Sequence, residues 1–245
     1  MMTCRLTALA ILAAVLGGCA TYTTPGGAVS IPEMTEDDVA SILAREPAAE
    51  FPAHVVLARV QAPEYRSYTA RGHGRGRFSV VTTQDIETEE DYERLENLEG
   101  VAGLGRINRV LISGNLNTTE QLRQAAAQLR GDIILLYTLD TAFHTETRQV
   151  GPLQAVSLGF FPNRRAHVTT TCSAAFIDVR TGYIYGLAEA NAREEQGSTL
   201  WGSRAAIESA RLRAEHEAFR KVLDEIETAW ASIHAEYAGN SESTH

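Results

Sequence analysis

Residues 132–140, DIILLYTLD, are apolar at odd and even positions alike. A strand with one wet face alternates apolar and polar residues, so this run predicts a central strand covered on both faces. It follows a helix signature. Asn117-Thr118-Thr119-Glu120 reads as a capping box, and Leu122, Ala125, Ala126 and Leu129 then recur on one face before Gly131. With RINRVLIS (106–113) as the preceding strand, 106–140 forms a strand–helix–strand crossover with parallel neighbours. Upstream, HVVLARVQ (54–61) and RFSVVTTQ (77–84) read as strands, and 88–100 as an acidic helix.

Downstream the pattern turns antiparallel. AHVTTTCSAAFIDV and YIYGLAEANARE flank Arg180-Thr181-Gly182, a long hairpin in which Gly182 supplies positive φ, and 143–150 is a candidate edge strand. From about Ser203 to Tyr237, Phe219, Val222, Leu223, Ile226, Trp230, Ile233 and Tyr237 recur at spacings of three and four, an apolar stripe on an otherwise charged helix. The expected fold class is therefore α/β: a mixed parallel/antiparallel sheet flanked by helices, with a long C-terminal helix.

The N-terminus carries a different message. Arg5 precedes the apolar run Leu6–Leu16, which is too short to span a bilayer and has the form of a signal sequence. It ends Leu16-Gly17-Gly18-Cys19, which resembles the lipobox of bacterial lipoproteins. That resemblance implies cleavage between Gly18 and Cys19, a diacylglycerol on the Cys19 thiol and a further acyl chain on the new amine. Each buried methylene adds about 0.8 kcal/mol, so more than one chain holds a protein firmly to a bilayer. Ala20, where Asp would favour retention in the inner membrane of enteric bacteria, points to the outer membrane facing the periplasm. Residues 1–18 are thus a signal peptide, 19–34 a flexible tether, 35–237 a single α/β domain and 238–245 a disordered tail.

Composition narrows the partners. The formal net charge is −9, and loss of Arg5 with the signal makes it −10. A chain this acidic is a poor general binder of nucleic acid. Of three cysteines, Cys4 leaves with the signal and Cys19 is acylated, so Cys172 has no partner for an internal disulfide. In the strand-like TTTCSAAF it reads as a buried inert thiol, with a reactive thiol as the alternative.

The order of elements resembles the periplasmic domain shared by curli-secretion lipoproteins, penicillin-binding-protein activator lipoproteins and the N-terminal domain of TolB. RGDIILLYTLDT and FIDVRTGYIYG carry that likeness, with Asp178, Thr181 and Gly182 at the turn. LLYTLDTAF, VSLGFFPNR and TTTCSAAFIDVRTGYIYG also resemble the rhombotarget lipoproteins. That family implies an envelope location and an association with a rhomboid-type sorting protease.

Chemistry was sought in four places. RGHGRGR groups Arg71, Arg75 and Arg77 with His73, either an anion-binding loop for a phosphate or an anionic polymer, or a solvated hairpin loop. His144, Glu146 and His167 could reach a metal from neighbouring strands, but nothing fixes their spacing and threonine-rich exposed strand edges explain them better, so no metal or other cofactor is expected. GVAGLGRINR follows a helix and precedes a strand, the reverse of a dinucleotide-binding turn. Leu158, Phe160 and Phe161 lie in an apolar loop bounded by Gly and Pro, either an interaction surface or bilayer contact, or a plug for the sheet edge. G-x-S-x-G, H-E-x-x-H and nucleophile–base pairings are absent from the sequence. The expectation is a non-enzymatic envelope lipoprotein that binds a partner protein or itself; the alternative is a periplasmic hydrolase or small-ligand sensor. A deep polar pocket at the carboxyl ends of the parallel strands would favour the alternative.

Overall fold

The computed structural model describes residues 26–35, 37–147, 164–198 and 203–239. Among the described residues nine strands and four α-helices follow one another: α1 (Val39–Leu43), β1 (Ala53–Gln61), β2 (Gly72–His73), β3 (Arg75–Gly76), β4 (Ser79–Val81), α2 (Glu89–Glu96), β5 (Val101–Arg106), β6 (Asn115–Leu116), α3 (Thr119–Gln128), β7 (Ile133–Thr147), β8 (Arg164–Asp178), β9 (Ile184–Ser198) and α4 (Ser203–Tyr237). The main sheet runs β2-β4-β1-β7-β8-β9, with β5 beside the first half of β1. β1 is parallel to β5 and β7 and antiparallel to β4, and β7, β8 and β9 form an antiparallel meander. The fold is mixed α/β, with a mixed sheet and a long C-terminal helix.

The two-parity pattern of β7 has its cause here. Ile133, Leu135, Tyr137 and Leu139 face the Phe219, Val222, Leu223, Ile226 and Trp230 stripe of α4. Ile134 and Leu136 face the opposite way, toward Leu122, Ala125 and Ala126 of α3. Trp230 anchors the first core: its ring lies 5.5 Å from Phe176, and its Nε1 donates to the Glu99 carbonyl at 2.8 Å. Cys172 is wholly buried in that core, and burial pushes its thiol pKa up, as expected of an inert thiol.

The β8–β9 turn is built around Asp178. Its carboxylate accepts from the backbone N–H of Arg180 (2.8 Å) and Thr181 (2.9 Å) through one oxygen, and from the Ala48 N–H and the Tyr185 hydroxyl (each 2.7 Å) through the other. Gly182 has φ +74°. Asp178, Thr181 and Gly182 therefore define a tight, fully bonded turn.

Several expectations are corrected. The third strand is not 106–113 but β5, which begins at Val101; Asn108 accepts from the Val110 N–H at 3.1 Å and turns 109–111 into a single 3-10 turn. β5 and β7 are both parallel to β1, but β1 lies between them. The expected edge strand 143–150 is continuous with β7 as far as Thr147. Leu129 is 38 % exposed, because α3 ends before it. The expected tether 19–34 is shorter at its far end: Val29 and Met34 are buried in the second core, and the Ala62 N–H donates to the Gly27 carbonyl at 3.1 Å. Residues 240–245, most of the expected tail, lie outside the described residues, as do Gly18 and Cys19. Among the described residues, no helix is long and apolar enough to cross a membrane.

Candidate functional site

Loop 62–72 leaves the carboxyl end of β1, and charge gathers on both sides of it. Beneath it lies a buried network. Arg59, four-fifths of the way along β1, is 3 % exposed. Its Nη1 donates to Asp85 at 2.6 Å and lies 3.6 Å from Glu87, and its Nη2 lies 3.8 Å from Glu215 of α4. Arg211 of α4 is fully buried; it donates to Glu208 at 2.6 Å and to Glu215 one turn on. Two guanidinium groups thus meet four carboxylates. Burial raises the pKa of Glu215, although Arg211 and Arg59 act to lower it. Burial likewise works against the charge on Arg59, but Glu87 and Asp85 outweigh it and hold its pKa up.

Hydroxyl groups tie this network to the loop. Arg211 Nη2 donates to Thr69 at 3.1 Å, Thr69 donates to Asp85 at 2.5 Å, and Arg59 Nη2 donates to the Tyr65 hydroxyl at 3.4 Å. Tyr137 donates to Glu87 at 2.5 Å, which raises the tyrosine's pKa together with the effect of burial. The crevice lined by Arg59 of β1, Arg106 of β5 and Tyr137 of β7 has a volume of about 40 Å³. Arg59 and Glu87 line it, and among the described residues Arg59 Nε and Glu87 Oε2 have no hydrogen-bond partner. The space suits one or two waters.

Above the loop lies an open groove of about 690 Å³, lined by Arg66, Arg71, His73, Arg75, Arg109 and Glu64 among others. Among the described residues, none of these four arginines is paired with a carboxylate. Burial, Arg109 and Arg71, in that order, lower the pKa of His73. The 71–77 stretch is held by two short pairings, β2 with β4 and β3 with β6, rather than left as the flexible backbone that the glycines suggest. A Cβ at Gly72 would lie 2.1 Å from Ser79 Oγ, and one at Gly74 2.4 Å from Leu116 Cδ1. Glycine is therefore the residue that fits the inner positions, and the alternating arginines face solvent.

The structure brings Arg71 and Arg75 together as expected and adds Arg66 and Arg109, which come from outside the motif. Arg77 departs from this set. It lines an adjoining groove with Ala28, Val29, Pro32, Glu33, Ala62 and Pro63. The buried network was not expected. Its signal was present, since the α4 stripe extended toward the N-terminus meets Arg211 and Glu215 in place of apolar residues. His144 and His167 are directly opposite in the β7–β8 register, but the side chains of His144 and Glu146 lie outside the described residues. Among the described residues no cluster of three metal-ligating side chains occurs. Leu158, Phe160 and Phe161 also lie outside them.

No family model and no curated protein matches the chain. Among solved structures, it is similar to a candidate lipoprotein of Caulobacter crescentus (20 % identity over 39 % of this chain and 67 % of that one, TM-score 0.27). It is also similar to a Xanthomonas campestris protein of the DUF330 family (12 % identity over 86 % and 98 %, TM-score 0.38). A third is a homologue of the neuraminyllactose-binding hemagglutinin from Helicobacter pylori (10 % identity over 82 % and 94 %, TM-score 0.35). These likenesses are too distant to assign a function, which has to rest on the residues of this chain.

Proposed function

We propose that this chain is a bacterial envelope lipoprotein, held to the outer membrane by acylated Cys19 and facing the periplasm, whose domain binds an envelope partner or its own copies and carries out no chemistry itself. The observation that carries the reading is Leu16-Gly17-Gly18-Cys19 closing an eleven-residue apolar run. Only six residues separate Cys19 from Gly26, the first described residue, so the domain is held close to the bilayer. The non-enzymatic part is supported by the buried network, whose acids are taken up by Arg59 and Arg211, and by the volume of only about 40 Å³ in the crevice beside Arg59 and Glu87. Resemblance to the rhombotarget lipoproteins names a rhomboid-type sorting protease as the first partner to look for.

Crosslinking of intact cells producing the protein, followed by sizing and mass identification of outer-membrane products, tests this. A ladder of self-adducts that disappears when Leu158, Phe160 and Phe161 become Ser supports assembly through these side chains. A single hetero-adduct names the partner. Monomer alone across several crosslinkers contradicts both and returns the small-ligand alternative to the front.

A further inference from the structure

The chain enters the described fold at Gly26, and this is also the end of the molecule that carries the arginines. A Cβ at Gly26 would lie 3.0 Å from the Ala62 Cβ, and Ala62 and Pro63 lead directly into Glu64, Tyr65 and Arg66 of the groove. Seven residues from Cys19 reach at most about 25 Å when fully extended. An anchor at Cys19 therefore keeps the groove within a short distance of the headgroup layer.

Two further features fit that neighbour. Tyr68, at the turn between Arg66 and Arg71, is 68 % exposed, and Val110, next to Arg109, is 88 % exposed. Exposed apolar side chains thus neighbour the groove arginines in the chain, the composition that settles at a lipid–water boundary. The planar guanidinium group binds phosphate through two parallel hydrogen bonds. The rest of the chain is acidic, with net charge −9 overall, so an anionic surface repels it and orients the basic end inward.

We propose that the Arg66, Arg71, Arg75 and Arg109 groove docks the phosphodiester groups of the bilayer in which Cys19 is anchored, with Tyr68 and Val110 entering the headgroup layer. This assignment rests on the lipid anchor of the preceding reading. It makes the domain lie on the membrane in one orientation.

The test uses the full mature chain in nanodiscs of phosphatidylcholine, or of an equimolar mixture with phosphatidylglycerol, whose phosphate has no choline cation to neutralise it. Hydrogen exchange is followed over 64–77 and 109–114. The expected result is exchange about tenfold slower in the phosphatidylglycerol discs. The protection is lost in the Arg71→Gln/Arg109→Gln double variant and reduced in Tyr68→Ser/Val110→Ser, while exchange at 133–139 stays unchanged. Equal rates in the two discs overturn the proposal, as does protection that survives in the arginine variant. Equal protection by inorganic phosphate added to phosphatidylcholine discs overturns it too, in favour of a soluble phosphate site. A chain that does not enter discs at all reports failure of the anchor, which is distinct from failure of the groove.

Discussion

Arg59 and Arg211 lie inside the fold against four carboxylates, whereas Arg66, Arg71, Arg75 and Arg109 stand in solvent with none among the described residues. One loop, 62–72, separates the two sets. Its Tyr65 and Thr69 bond downward into the network, and its Arg66 and Arg71 point into the groove. A buried guanidinium group needs nearby acids to offset its lost hydration, and those acids leave no capacity for a ligand. An exposed one needs no such partner and keeps all of its donors available. The buried arginines therefore fix the loop, and the loop presents the exposed ones.

The comparison breaks first at stability. Arg211→Met takes the buried counter-charge from Glu208 and leaves Glu215 and Asp85 to share Arg59 alone, and is expected to cost about 3–5 kcal/mol in chemical denaturation. Arg71→Met should leave the midpoint unchanged. Equal losses would mean that the two sets do the same job.

A second, smaller effect reads the excess of acid over base inside the network. The folded-state pKa of Glu215 lies above its ordinary 4.5, so the folded protein binds a proton there more tightly than the unfolded chain does. Its contribution to stability is then largest below 4.5 and is lost as pH rises from 4.5 through the folded value. The stability of the protein relative to Glu215→Gln should fall across that window and level off above it. A difference that rises with pH would show that Arg211 and Arg59 outweigh burial.

The smallest effect lies in the groove. Arg71→Gln/Arg109→Gln removes two like charges from the surroundings of His73, and its pKa should climb toward 6.5 in an NMR titration, held short of it by the remaining burial. No movement would place these arginines away from the groove wall.

How much of this was legible in the sequence follows the range of the interactions. The two-faced core of β7, the stripe of α4 and the turn at Gly182 are periodic or local, and the chain states them within 10 to 35 residues. The β5 strand was displaced because its Gly103 and Gly105 weaken the strand signal, while RVLIS carries a strong one that the Asn108 side chain overrides. The packing of Val29 and Met34 was hidden in a segment rich in Gly and Pro, since its bonds run to Ala62 and Thr138. The charge network joins β1, the 82–87 segment and α4, positions up to 156 residues apart, as in Arg59 with Glu215. Pairings over that distance leave no spacing to read. The groove was half legible: Arg71 and Arg75 share a motif, but Arg66 reaches it through its bridge to Arg71 and Arg109 through the β3–β6 pairing that follows it.

The account stands on the anchor, and the most direct measurement is the intact mass of the mature chain extracted from membranes. The predicted species begins at Cys19 and carries a thioether-linked diacylglycerol with a further acyl group on its amine. A chain that retains residues 1–18, or begins elsewhere with an unmodified Cys19, would contradict it.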